Sequence, residues 1–164
     1  MAQARDDARR SPTSDQLRTW RAFVETTDAL RSRLSARLQV ESGLSSSDYV
    51  VLLALHDAEG RCLRSSALAD AVGWERSRLS HQIGRMERRG LVARRGGRAA
   101  GVALTDDGAA TFRRASVAHL RLVRQLFVDA LSDEQLAAAG EIAAALRAAL
   151  DSPATSSGAV RTGG

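Results

Sequence analysis

Apolar residues recur at steps of three and four along most of this chain, and polar clusters with Gly or Ser interrupt them. Leu17, Trp20, Phe23, Val24, Leu30, Leu34 and Leu38, with Thr27 in register, form one stripe of about seven turns. It predicts a long helix from about Ser14, capped by Ser14 or Asp15 and stopped at Ser42-Gly43. Ser45-Ser46-Ser47-Asp48 supplies N-cap chemistry for a second helix carrying Tyr49, Val50, Leu52, Leu53 and Leu55, ending near Gly60. Cys62-Leu63 reads as a very short strand. Ser65 or Ser66 then caps the helix A-L-A-D-A-V, which Gly73 closes. Beyond the next helix, Leu91–Arg95 and Val102–Leu104 flank a Gly-rich tip and predict a hairpin. Thr105-Asp106-Asp107-Gly108 opens a long helix with Phe112, Val117, Leu120, Val123, Leu126 and Phe127 as its stripe. Ser132-Asp133-Glu134-Gln135 is a capping box for a last helix with Leu136, Ile142, Leu146 and Leu150.

The segment W-E-R-S-R-L-S-H-Q-I-G-R-M-E-R-R-G-L-V, Trp74 to Val92, carries the most chemistry. At about 100° per residue, Leu79, Ile83 and Met86 share one side of a helix. Ser77, His81, Gly84 and Arg88 lie opposite, with Arg78, Ser80 and Arg85 on the flanks. The first side requires a core. The second offers hydroxyls, an imidazole and guanidinium groups, with glycine where a side chain would hold a partner away. A helix seated in a DNA major groove requires such a surface. Helix, tight Gly turn, second helix with a polar outer face is a helix-turn-helix pattern, and a hairpin directly after it is a wing. Arg98, in the tip Gly96-Gly97-Arg98-Ala99-Ala100-Gly101, is placed to reach an adjacent minor groove. The candidate DNA contacts are Arg76, Ser77, Arg78, Ser80, His81, Arg85, Arg95 and Arg98, in a recognition helix of about 75–89 and a wing of about 94–103.

Charge follows the same map. Between Arg61 and Arg98 stand ten Arg against Asp70, Glu75 and Glu87, a local +7 in a chain whose total is +5. The rest of the chain sums to −2, so the basic excess is confined to one segment, as an electrostatic footprint on double-stranded DNA requires. The absence of Lys, in a chain this rich in Ala, reflects composition bias rather than chemistry. At 164 residues and 44% hydrophobic, with few aromatics and two Pro, the chain suits one domain or a small two-part unit, built of long helices. No run approaches a membrane span and the N-terminus has no apolar signal region, so a cytoplasmic, nucleoid-associated protein is expected, with no membrane partner.

These blocks, L-A-D-A-V-G-W-E-R-S-R-L-S-H-Q-I-G-R-M-E-R-R-G-L-V followed by V-A-L-T-D-D-G, resemble the MarR family of bacterial winged helix-turn-helix regulators over roughly Trp20 to Leu150. The resemblance implies a homodimer, a DNA operator of two half-sites, and a small-molecule effector that releases DNA. One departure stands at the wing: many members carry an acidic residue two before the wing Arg, and here that position is Gly96.

The expected fold is thus mainly α, a winged helix-turn-helix with a small β-hairpin and long N- and C-terminal dimerisation helices. The divisions are a disordered tail at 1–13, a dimerisation helix at 14–44, the DNA-binding domain at 45–104, dimerisation helices at 105–150, and a second tail at 151–164. The winged module needs only a small core, so the surplus apolar stripes require a further partner, and a two-fold interface supplies one. By the resemblance, an effector enters the crevice between the dimer helices and the winged module. Trp20, Tyr49 and Phe112 are placed to line it and fit core positions equally well; Arg37 and Arg113 either meet an anionic ligand or face solvent.

No catalytic residues, metal ligands or cofactors are expected. His56, His81 and His119 are scattered, and His56, Asp57 and Glu59 together read as a solvated helix end. No Ser-His-Asp order, phosphate loop or CxxC is present. The lone Cys62 cannot form an internal disulfide and reads as a small core residue. A winged-helix module that works without an effector, on DNA or on another protein, is the alternative reading.

Overall fold

A computed structural model describes residues 11–96 and 100–152. The two expected tails fall mostly outside these residues, and Arg98 lies outside them as well. The chain divides into two compact units that meet in sequence at Val123 and Arg124.

The first unit opens with α1 (Ser14–Ser42). Its cap is Thr13, not Ser14 or Asp15, because Gln16 stands three residues on and closes a reciprocal pair. The Thr13 hydroxyl accepts the Gln16 N–H at 3.3 Å, and the Gln16 side chain accepts the Thr13 N–H at 2.8 Å. Gly43 ends the helix in the left-handed conformation, φ 67°, as the sequence indicates. Helix α2 (Ser46–Asp57) is capped by Ser45 with Asp48 in the same reciprocal arrangement. It ends before Gly60, and a 3-10 turn, Glu59–Arg61, leads into β1 (Cys62–Leu63).

Helix α3 (Ser65–Val72) has Arg64 at its N-cap with no side-chain cap, so the two expected hydroxyl caps sit inside the helix. Arg64 already holds the extended backbone an N-cap requires, which starts the helix one residue early. Gly73 closes α3, and the turn Gly73-Trp74-Glu75 leads into α4 (Arg76–Arg88). Strands β2 (Val92–Arg95) and β3 (Gly101–Leu104) follow, then α5 (Asp106–Val123). The three strands form one antiparallel sheet in the order β1-β3-β2, with Cys62 opposite Ala103 and Arg95 opposite Gly101.

Leu44, Val51, Leu52, Leu55, Leu68, Leu79, Ile83, Met86 and Val102 are the large side chains fully buried in this unit's core. The outward stagger of α4 follows directly: Leu79, Ile83 and Met86 are within 2% of complete burial, while Ser77, Arg78, Ser80, His81 and Arg85 are exposed. The base of the wing is tied to the start of α5 at a crowded point. Thr105 donates its hydroxyl to the Gly90 carbonyl at 2.6 Å and accepts the Gly108 N–H at 2.9 Å. The backbone at Gly108 is thereby drawn so close to the Leu91 carbonyl that a Cβ there would overlap it. Glycine at 108 is a packing requirement, since its φ is not positive.

In the second unit a π-type turn, Arg124–Val128, precedes α6 (Asp133–Asp151). The stripe expected to run unbroken through Phe127 is therefore interrupted at Arg124. Ser132 and Gln135 form the anticipated capping box.

Truncating the α4 stripe tests its orientation. Leu79→Ala should cost about 2–5 kcal/mol of stability, since it empties a buried site. A denaturation midpoint equal to that of the parent chain would place the stripe on the outside.

Candidate nucleic-acid interface

The exposed side of α4 is built on a short, well-positioned helix. Glu75 occupies its N-cap, and Arg85 and Arg88 stand in its last turn, where cations suit the helix dipole. Arg76, Ser77, Arg78, Ser80, His81 and Arg85 are all exposed. Two of the arginines are steered. The Arg78 guanidinium lies over the Trp74 ring, 4.2 Å from its centroid, a cation–π arrangement that keeps the side chain near the helix start. Arg85 donates to the Gln82 side chain. Gly84 falls about 100–120° round the helix from both, on the outer face, with only the end of Arg88 near the place a Cβ would occupy.

The wing is tied to the same helix. Glu87 accepts the Arg94 backbone N–H at 3.2 Å and its Nε at 3.1 Å. A carboxylate on α4 thus braces the first wing strand, although the tip itself has Gly96 where the resemblance leads one to expect an acid. Arg95, the next residue along β2, is exposed. A small cleft between Arg76, Ser80 and Arg94 joins the helix face to the strand.

Beneath α4 lies a polar cluster. Asp48, at the start of α2, is buried and accepts from the Gln82 amide at 2.6 Å and from Arg89 at 2.7 Å. Arg89 also donates to the Gly43 carbonyl at 2.7 Å.

A separate cavity of about 440 Å³ opens between α1, α2 and α5. Leu30, Leu34, Leu38, Tyr49, Val50 and Leu53 give it an apolar lining, and His119 stands at its side. The Tyr49 ring lies tilted against Phe112 at 5.3 Å and against His119 at 4.6 Å, and its hydroxyl donates to Ser116 at 3.3 Å. Burial holds the His119 imidazole below its ordinary pKa.

The family model of the MarR family matches residues 42–101. The structure also superposes on AbsC, a MarR family transcriptional regulator from Streptomyces coelicolor, at TM-score 0.76 and 35% identity. That match covers 84% of this chain and 98% of AbsC. This chain belongs to the MarR family. It is a MarR-family transcriptional regulator, a class of DNA-binding proteins rather than enzymes. Sco3205, another regulator from Streptomyces coelicolor, was solved in complex with DNA and matches at TM-score 0.81 and 32% identity, over 88% of this chain and 92% of that one. The organohalide-sensing regulator RdhR-CbdbA1625, solved in its 2,4-dichlorophenol-bound form, shares the fold at TM-score 0.69 and 18% identity, over 84% of this chain and 85% of that one. Curated protein sequences give no match.

The regulator's structure brings the α4 candidates Arg76 to Arg85 onto one face and sets Arg95 on the adjoining strand. Of the three aromatics placed at a crevice by sequence, only Tyr49 lines the cavity. Phe112 packs behind it, between Tyr49 and His56 at 5.3 and 4.9 Å, and is 4% exposed. Trp20 lies about two turns before the cavity's first lining residue on α1 and is 59% exposed. Arg37 pairs with Glu41 at 2.7 Å, and Arg113 is exposed; neither lines the cavity. The end of α2 is not fully solvated: His56 is half-buried against Phe112, because the ring falls on the same side as Leu52 and Tyr49. Cys62 is half-buried in β1.

Sequence reasoning did not identify Asp48, Gln82 and Arg89 as a cluster. One signal was present: at about 100° per residue Gln82 falls only about 60° from Leu79, on the buried flank of α4.

His119 yields a pH prediction. Its folded-state pKa is depressed, so the unfolded chain takes up a proton first as pH falls. Stability should therefore decline on acidification from about pH 7 toward pH 5, through the ordinary histidine range. His119→Gln should flatten that decline; melting temperatures across the range, with the same slope in both proteins, would exclude His119 as its source.

Proposed function

We propose that this regulator acts as a homodimer on chromosomal DNA, reading a two-half-site operator with α4 and the wing, and that a small molecule in the α1–α2–α5 cavity releases it. The observation that carries the DNA reading is the exposed face of α4, where six candidate contacts project from a helix fixed by Leu79, Ile83 and Met86. On this reading Arg78 and Arg85 reach base edges, Ser77, Ser80 and His81 reach bases or phosphates, and Arg76 and Arg95 take phosphates. Arg98, outside the described residues, is assigned from its place in the sequence to phosphate charge and minor-groove potential. Sco3205 with its DNA supports the assignment by likeness.

Uncovered apolar surface supports the dimer. On α1, Leu17, Trp20 and Phe23 are exposed, and on α5 so are Val117 and Leu120. Within the second unit, Ile142, Leu146 and Leu150 are exposed along α6. A two-fold pairing that covers such stripes sets two recognition helices about 34 Å apart, one turn of duplex. The cavity supports the effector reading, because its lining is apolar with a few polar groups, as ligand sites are. The chlorophenol bound by RdhR-CbdbA1625 is a natural first compound to try, in a titration of the protein–DNA complex.

The operator is obtained by enriching a randomised duplex library on the wild-type protein. Arg78→Ala and Arg85→Ala should each weaken binding to the enriched duplex by roughly 1–3 kcal/mol and relax preference at one base pair. Full affinity in both would remove α4 from the bases.

Gly84 offers a sharper test, since stability and binding should move in opposite directions. Gly84→Ala should stabilise the fold by about 0.5–1 kcal/mol, as alanine replaces glycine in a helix where a Cβ meets only the end of Arg88 at ordinary contact distance, 3.9 Å. On the proposed reading its methyl group intrudes on the groove and weakens DNA binding. Stabilisation with unchanged binding would show that the groove does not approach that face.

The dimer is tested by Trp20→Glu combined with Phe23→Glu. Sedimentation should report a lighter species, and the operator affinity should fall with it. An unchanged sedimentation coefficient would move the interface away from α1.

A further inference from the structure

Gln82 is a polar residue on the recognition helix, yet it is 3% exposed. Its partner below is the carboxylate of Asp48, itself 2% exposed. Oxygen Oδ1 of Asp48 accepts from the Gln82 Nε2 at 2.6 Å. Oxygen Oδ2 accepts the Ser45 backbone N–H at 2.9 Å, the Ser45 hydroxyl at 2.9 Å and Arg89 Nη1 at 2.7 Å. A carboxylate in this setting only accepts, so it draws the NH2 end of the Gln82 amide inward. The amide oxygen is left pointing along the flank of α4, where it accepts from Arg85 Nη2. The orientation of an exposed guanidinium is thus determined by a buried acid on a different helix.

We propose that Gln82 and Asp48 are positioning residues for DNA reading. They hold Arg85 by one of its N–H groups and leave the rest of its donor fork for a base pair. This rests on the reading of α4 as the helix that enters the groove. An unrestrained arginine loses rotamer freedom when it binds, and a tethered one has lost part of it beforehand, so the tether favours the specific complex. Because the tether acts through Arg85 alone, its effect must vanish when Arg85 is absent.

A double-mutant cycle tests this with the full chain. The probes are a duplex enriched by the wild-type protein from a randomised library and a scrambled duplex of the same composition. Gln82→Met keeps the buried volume and removes the tether. It should weaken binding to the enriched duplex roughly three- to tenfold, leave the scrambled duplex within about twofold, and cause no further loss in the Arg85→Ala background. An equal loss with and without Arg85 would reduce Gln82 to a structural role and overturn the proposal, as would no loss at all. If Gln82→Met has no cooperative melting transition, Asp48→Asn enters the same cycle: its amide can turn the Gln82 amide round and present NH2 to Arg85, so the same loss is expected. A wild-type protein that enriches no sequence would overturn the DNA reading itself, and does so before any variant is made.

Discussion

The roll of α4 about its own axis is the constraint on which the rest of the molecule depends. Leu79, Ile83 and Met86 are buried together, and that single fact decides which residues face outward. A rotation of about 100°, one residue, would bury Arg78 or Ser80 and expose Leu79. The cost of burying an unpaired guanidinium greatly exceeds that of exposing a leucine, so the arrangement has no close competitor. Electrostatics follow from packing here: the basic residues form a continuous outer surface because the apolar ones cannot leave the core.

Packing fixes the axis and the roll, but not the side chains that project from it. Two of those, and one side chain of the adjoining strand β2, are handled by three local devices, each of a different kind. Trp74 supports Arg78 from its ring face, Gln82 engages Arg85 through a buried acid, and Glu87 holds Arg94. Surface ion pairs contribute little to stability, about 0–1 kcal/mol, so the Glu87–Arg94 contact is better understood as geometry than as stabilisation. It joins the base of the wing to the helix that the wing flanks.

How much of this was legible in the sequence depends on the range of the interaction. Gly43, Gly73 and Gly90 all adopt the left-handed conformation at helix ends, and Ser45 and Ser132 cap as their neighbours three residues on require. These are local effects and could be read from adjacent letters. The buried stripe of α4 was equally readable, because its period is set by the helix itself. Thr13 was less legible because Ser14 and Asp15 beside it also have cap-forming side chains, and only the reciprocal bond with Gln16 distinguishes it. Asp48 and Gln82 were missed for a deeper reason. They are 34 positions apart, and only the tertiary packing of α2 against α4 brings an acid and an amide together. Each alone has the composition of a surface residue. The cavity was also hidden, since whether Tyr49, Phe112 or Trp20 borders empty space depends on how α1 crosses α2 and α5.

The start of α2 draws these elements together. Ser45 and Asp48 serve the polar cluster below α4, while Ser46 and Tyr49, the intervening and following residues, line the apolar cavity on the other side. The same helical turn therefore touches both the cavity and the carboxylate bonded to Gln82. Ser46 further contacts Ser35 of α1 at 2.5 Å, so this turn is also bound to the helix carrying the exposed Leu17, Trp20 and Phe23. A packed core transmits displacement poorly by gradual deformation and well by movement of whole elements. A shift of the α2 N-terminus would move Asp48 together with Tyr49, because the capping box makes that turn rigid.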